Sequence, residues 1–423
     1  MKTTAPRHIE SLNADSASLK TTRICSLSEL DVSLDSWRVL ANGAPMQSPE
    51  WLLAWWQCYS GPDDELSVLL FHEPEGLLAG LAPLYIRIAE KRRTVCLLGS
   101  GDASTNHTTW LSAAGWEERV SHAVAQFLLG SESGWDCVQF DSVDTGDVSI
   151  NATAAYMADW GFPVHRRPLH NCWKIVLPST WEEYLMMLSR SHRKQCRSLQ
   201  QRYLESGLVK LHTVTDSTYF QRGFEILLQL HSARWGESDK PLGCFSDQRF
   251  RRFHETAARE LLLHNQLLLV WLEYEGRPIA VEYQFIGNTS VYSYLSGMDP
   301  SVTGFSPGNL SILAAIQRAI AQGCETFDLS RGDQPYKAHW RAAPSACHEV
   351  SIWPNNPSGR LAHAMRSMRT LSECCRKRVV KGVKTLVSQR VIDTYRQIHS
   401  VMPGKRRGPN RVGSSKQDSG GRS

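Results

Sequence analysis

The sequence predicts an α/β fold made of two tandem copies of one unit, each a mixed, mostly antiparallel sheet flanked by helices, with a basic helical tail after them. Three observations carry this expectation. Residues 267–337 read as three strands, a glycine-bearing loop, a helix and a fourth strand. Residues 66–144 repeat that order about 200 residues earlier. A hydrophobic content of 42% in 423 residues is enough for two cores of ordinary domain size.

The later copy is the clearer one. Its strands are Leu267–Leu272, Pro278–Ile286 and Ser290–Ser296, punctuated by Gly276 and by Gly287-Asn288 as tight turns. Gly297-Met298-Asp299-Pro300 leads through Gly304-Phe305-Ser306-Pro307-Gly308 into a helix over Asn309–Gln322. Gly323 ends that helix and Glu325–Leu329 is the next strand. A loop with free amides running into a helix N-terminus favours an anion, because orphan N–H groups and the helix dipole act together. The stretch closes on a polar cluster from Phe327 to Lys337.

The earlier copy starts at Ile24–Leu40. Ser48, Pro49 and Glu50 suit a cap, a first helical position and the helix dipole, so a helix begins there. Trp51, Trp55 and Tyr59 recur on it at helical spacing, as core packing or as an aromatic wall for a substrate. Strands follow at Leu66–His72, Leu77–Ile88 and Arg93–Leu98, then Gly99-Ser100-Gly101-Asp102, a helix over Trp116–Leu129 and a strand over Asp136–Phe140. Glu75-Gly76 parallels Glu275-Gly276, and Leu98 to Asp102 parallels Leu295 to Asp299.

Asn171–Leu177 is expected as the strand joining the halves. Ser179-Thr180-Trp181-Glu182 has a capping-box pattern, and a long helix follows to Glu205. Arg190, Lys194 and Arg197 fall on one face of it with Arg193 beside them. Such a cluster is either a solvated face or a site for phosphate or carboxylate. Helices over Thr218–Ala233 and Phe245–Leu262 come next, with His231 at a helix end read as structural rather than as a base. Glu349–Trp353 is the last strand, and Pro354-Asn355-Asn356-Pro357 ends the globular body.

The expected organisation is therefore a disordered 1–20, an N-terminal copy over 21–177, a C-terminal copy over 178–356, a basic amphipathic helix over 357–402 and a disordered 403–423. Residues 360–423 hold 16 Lys and Arg against 3 Asp and Glu, or +13, so the rest carries −8 of the total of +5. A basic tail with an apolar stripe (Leu361, Met365, Met368, Leu371, Cys375, Val379, Val383) could meet a membrane surface, an acidic partner or only solvent. No run of 18 apolar residues occurs and the first 20 residues lack an apolar leader, so a cytoplasmic protein is expected, with peripheral contact at the inner membrane as an option for the tail. Eleven cysteines without a CxxC pair read as free thiols, and no spacing matches a zinc site, so no metal is expected.

The motifs Ser189 to Lys194, Leu230-His231-Ser232-Ala233-Arg234-Trp235, Ser306-Pro307-Gly308 and Phe327-Asp328-Leu329-Ser330-Arg331-Gly332-Asp333-Gln334-Pro335-Tyr336-Lys337 resemble the CelD/BcsL type of GNAT-superfamily acyltransferase. That group is also similar to FemAB-type peptidyltransferases, which carry two GNAT-like domains in tandem. The resemblance covers about residues 25–355. It implies acyl transfer, with acetyl-CoA as the donor and an amine or hydroxyl of a small-molecule or saccharide acceptor, in exopolysaccharide or cellulose production. FemAB-type relatives use charged tRNA instead, and a non-catalytic scaffold docked through the tail is a third reading. Outside the tRNA reading no nucleic-acid partner is expected. The usual GNAT phosphate loop has Arg or Gln before its first glycine; Gly304–Gly308 has neither, and Pro307 removes one donor.

In direct transfer the acceptor loses a proton while the carbonyl oxygen gains charge. Asp328 and Glu282, on strands among apolar residues, are candidates for the base, since burial raises a carboxyl pKa; Asp333 is a third. Tyr336 is the candidate proton donor to the leaving thiolate. Gly304, Ser306, Gly308 and Asn309 are expected at the donor pyrophosphate, and Arg190, Arg193, Lys194, Arg331, Asp333 and Lys337 at an anionic substrate.

Overall fold

A computed structural model describes residues 19–130, 134–236 and 241–376. The first copy contains β1 (Lys20–Ile24), α1 (Leu27–Leu30), α2 (Leu34–Ala41), α3 (Pro49–Tyr59), β2 (Glu65–His72), β3 (Leu78–Ala89), β4 (Arg92–Leu97), the short β5 (Leu111–Ser112), α4 (Glu117–Leu129), β6 (Cys137–Asp144), α5 (Val148–Asp159) and β7 (Val164–Val176). The second contains α6 (Trp181–Met187), α7 (Arg190–Leu199), β8 (Val209–Thr213), α8 (Ser217–Trp235), α9 (Gln248–Leu263), β9 (Leu267–Tyr274), β10 (Arg277–Ile286), β11 (Ser290–Met298), α10 (Pro307–Ala321), β12 (Thr326–Arg331), α11 (Tyr336–His339) and β13 (Ala343–Ile352).

Each copy has one parallel strand pair. In the first it is β4 with β6, through Thr94 to Cys137 and Val95 to Val138. In the second it is β11 with β12, from Ser290 to Thr326 as far as Tyr292 to Asp328. The other ladders are antiparallel.

The copies do not close separately. Strand order through the middle is β4-β6-β13-β7-β12-β11, within one 13-stranded sheet. The last strand of each copy is thus exchanged into the other. β7 pairs with β12, and β13 with β6, while β7 and β13 pair with each other from Ala343 opposite Lys174 to Ile352 opposite Val164. Exchange of this kind leaves no open edge between the copies.

The core is shared as well. Trp51 is fully buried, with ring centroids 4.7 Å from Phe253, 5.1 Å from Phe285 and 5.4 Å from Tyr294, all edge-on. Edge-to-face pairs of this geometry add to the burial of a large apolar ring. The Trp51–Trp55–Tyr59 stripe is therefore core, packed between α3 and α9 rather than facing a ligand.

Several boundaries move. The capping box is Thr180 with Glu183, one residue later than expected. The joining strand begins at Val164 and the last strand at Ala343, both far earlier than expected, because pairing in the exchanged centre extends polar sequence that lacks a strand pattern of its own. The expected Phe245–Leu262 helix is a short 3-10 turn, Gly243–Ser246, followed by α9. The described residues up to 364 form one compact unit and those from 365 a second. A helix spans 357–376; on it Leu361, Met365, Met368 and Leu371 are exposed. The basic segment past 376, Val379 and Val383 with it, and residues 1–18 lie outside the described residues. No described helix is long and apolar enough to cross a membrane.

Candidate active site

The parallel ladder between β11 and β12 stops at Tyr292 and Asp328, and the strands then part. β11 also carries a bulge at Tyr294, opposite the step from Tyr283 to Gln284. A bulge re-aims the strand that holds it. The parting opens a cleft of about 1020 Å³, with Ser293–Ser296 on one wall and Leu329–Gly332, Tyr336 and Lys337 on the other. Asp102, Asn106 and His170 of the first copy complete it. Tyr294 Oη donates to the Ala103 carbonyl and holds the first-copy loop against β11, while Trp51 Nε1 donates to Thr105 Oγ1 at 2.9 Å and ties the same loop to α3.

The cleft floor contains buried polar atoms with no partner among the described residues: Asn106 Oδ1 and Ser330 Oγ. Buried polar groups are almost always bonded, so such atoms beside a cleft indicate where a polar ligand is met. Left-handed backbone at Ser330 (φ 56°) and Gly332 (φ 106°) turns the chain sharply off β12 and sets this floor.

Glu282 is buried on β10 and accepts from Ser311 Oγ at 2.6 Å and, at 3.5 Å, from Ser293 Oγ. Burial pushes its carboxyl up to about 7, partly offset by those hydroxyls and by nearby Arg234. It does not line the cleft; Ser293, which does, connects it. Tyr336 lines the cleft with 37% of its surface still open to solvent, and its crowded position and the Glu282 charge raise its phenol to about 12.

The other predicted groups are mostly occupied. Asp328 is buried and off the cleft wall, its Oδ1 accepting from the Ser330 amide at 2.6 Å and its Oδ2 lying 2.9 Å from His107 Nε2. His107 also bonds Asp144 through Nδ1 at 2.6 Å, so Asp328 pins the copies together. Lys337 lines the cleft. Its buried ammonium donates to the Ser330 and Arg331 carbonyls at 3.0 and 2.8 Å and so fixes the end of β12; burial lowers it to about 8. Asp333 accepts from Asn171 Nδ2 at 2.8 Å and Trp173 Nε1 at 3.0 Å, which hold its carboxyl below the usual range. Arg331 lines the cleft as expected.

Arg190, Arg193 and Lys194 are not on the cleft. His192 packs on Trp340 with ring centroids 4.7 Å apart, so α7 turns its cationic face outward. Arg197 pairs with Glu182 at 2.6 Å and Arg193 lies against the Met186 sulfur at 2.5 Å.

Of the residues expected at the pyrophosphate, Ser306 caps α10 by accepting from the Asn309 amide at 3.4 Å, while the Leu310 amide is used by the Ser306 carbonyl. With proline at 307, Gly308 is the donor left in the first turn. Phe305 stacks on Tyr203 at 4.0 Å and fixes the loop in which Gly304 faces open space. The missing loop cation comes from elsewhere. A Cβ built on Gly308 would lie 3.4 Å from an Arg234 guanidinium nitrogen, so Arg234, from the last turn of α8, stands at the N-terminus of α10. Among the described residues Arg234 has no carboxylate at ion-pair distance, and its guanidinium lies 4.8 Å from the Trp235 ring. A cation beside the positive end of a helix is stable when an anion sits between them.

The Leu230–Trp235 motif by itself gives Arg234 no role; the lack of a cation in the Gly304–Gly308 loop is the signal that one must arrive from another element. Asn106, His107 and His170 were missed because nothing local marks them. His231 is neutral, lowered to about 4 by burial, and faces a Cys244 thiol raised to about 11 at 3.5 Å, so the two form no ion pair.

This arrangement, two α/β units each with one splayed parallel pair, is a tandem GNAT-like fold. Residues 190–338 match the family described as acetyltransferase (GNAT) domain. Among solved structures the chain is similar to FemX, at 11% identity and a TM-score of 0.55 over 81% of this chain and 100% of that one. It is also similar to a conserved protein of unknown function from Bacteroides thetaiotaomicron, at 10% identity and a TM-score of 0.50 over 76% of this chain and 97% of that one. A search of curated proteins returns no match.

Proposed function

We propose that the chain is an acyltransferase that moves acetyl from acetyl-CoA to an amine or hydroxyl of a small-molecule or saccharide acceptor, by direct attack in a ternary complex. The observation that carries this is Arg234 standing at the N-terminus of α10, close to Met298 at the far end of β11, the strand that parts from β12 after Tyr292. Arg234 and the Gly308 amide receive the donor phosphates, and the pantetheine follows β11 into the cleft. The acceptor binds between the copies, against Asn106 and Arg331. Its proton passes to Ser293 Oγ and on to Glu282 as its lone pair closes on the thioester carbonyl carbon. The carbon–sulfur bond breaks, and Tyr336 protonates the thiolate. The first copy serves as a non-catalytic partner that supplies one wall.

The CelD/BcsL-type motifs support an acceptor in exopolysaccharide or cellulose production, in the cytoplasm, with the basic tail at the inner membrane or a synthase. Charged tRNA is the second donor reading, favoured by the single free amide in the first turn of α10 and by the FemX-like fold. Replacing Arg234 with Ala tests the donor. Acetyl-CoA affinity, followed by calorimetry, is expected to fall about 10- to 100-fold, the worth of a charge-assisted phosphate contact. Unchanged acetyl-CoA affinity removes Arg234 from the site. Binding of charged tRNA but not acetyl-CoA supports the second reading, and binding of neither leaves a non-catalytic scaffold.

A further inference from the structure

The exchanged strands bring together side chains that are far apart in sequence. On β7, His170 and Cys172 alternate onto the same face. Cys347 on β13 stands directly opposite Asp144 on β6, at a register shift that sets it between its two neighbouring strands. Cys347 Sγ is 3.6 Å from Cys172 Sγ and 3.2 Å from Asp144 Oδ1. Ligand atoms of His170, Cys172 and Cys347 all lie within 4.8 Å of one another. His170 Nε2 is buried with no hydrogen-bond partner among the described residues.

We propose that His170, Cys172, Cys347 and Asp144 form a structural zinc site at the junction of the two copies. Two sulfurs on one tetrahedral zinc, each bonded at about 2.3 Å, lie about 3.7 Å apart, which is close to the separation already present. A disulfide would need the sulfurs at about 2.0 Å. Binding releases the two thiol protons and forms two zinc–sulfur bonds, with a histidine nitrogen and a carboxylate oxygen completing four ligands. His107 bonds the other oxygen of Asp144, the outer-shell support that orients a ligating carboxylate. Three adjacent strands hold the set: His170, Cys172 and Cys347 already cluster, and Asp144, which clusters with Cys172 and His107, closes the fourth position by moving toward His170. Local spacing could not reveal it: His170-x-Cys172 is unremarkable alone, and Cys347 arrives only through the strand exchange.

The test is metal content of the full chain after dialysis against metal-free buffer. About one zinc per chain is expected, and Cys172→Ser and Cys347→Ser are each expected to lose it, while Cys25→Ser at an exposed position retains it. To separate loss of metal from loss of fold in a serine variant, cobalt added to the metal-free wild-type chain gives an independent readout: a near-ultraviolet thiolate-to-cobalt band with intense tetrahedral visible bands is expected. No retained metal and no such cobalt spectrum overturns the proposal. So does retention of zinc by both variants, or a Cys172–Cys347 disulfide in the purified metal-free chain.

Discussion

Replacing Glu282 with Gln is expected to lower kcat by about 10²- to 10⁴-fold, the usual worth of a positioned base. Ser293→Ala is expected to share the loss, since Ser293 is the link from Glu282 to the cleft. With the Glu282 carboxyl at about 7, wild-type kcat/KM rises as pH passes through that value, and the Gln variant lacks that limb. The same burial predicts an opposite effect on stability. Because the folded pKa is above the ordinary 4.5, the folded state holds more protons between pH 4.5 and about 7, and stability falls as pH rises across that window. Glu282→Gln should therefore melt close to wild type at pH 4.5 and above it at pH 8, by up to about 3 kcal/mol. Full activity in the Gln variant, with the pH limb intact, removes Glu282 from the chemistry whatever the melting shows.

The second large effect is expected at Gly297. A Cβ there would lie 2.4 Å from the His231 amide nitrogen and 2.5 Å from the Leu230 carbonyl carbon. Both are backbone atoms of α8, so no rotamer change relieves the overlap, and α8 must move off β11. Gly297→Ala is expected to cost about 3 kcal/mol or more, at the upper end for overpacked sites. It should also weaken donor binding, because Arg234 is carried by the same helix three residues after His231. Denaturant melts and acetyl-CoA titration check the two effects; a variant as stable as wild type shows that α8 does not rest on Gly297.

Much of the fold is legible in local chemistry. The strand–turn–strand order around Gly276 and Gly287, the Ser306 cap and the Trp51 stripe each follow from side-chain period and turn residues, and the structure has them within a few residues. What is not legible is the exchange of β7 and β13. Those strands have half-exposed, polar sequences such as Val164-His165-Arg166-Arg167, and they become strands because their partners are held across the copy boundary. The site divides in the same way. Glu282 and Tyr336 were recognisable as titratable groups among apolar neighbours. Asp328 looks equivalent, yet His107, a residue 221 positions away, bonds its carboxylate. Lys337 looked like an anion-binding cation, but two carbonyls at the end of β12 occupy it. Pairings of this length depend on topology, which a linear reading of spacing does not contain.

The central claim is that the second copy binds the acyl donor between β11 and β12, with its phosphates at α10. Amide hydrogen exchange of the full chain with and without acetyl-CoA tests it most directly. The expected result is slowed exchange confined to residues 293–298 and 304–312. Slowed exchange around residues 98–106 of the first copy alone, or no change with acetyl-CoA while charged tRNA slows it, would contradict the account.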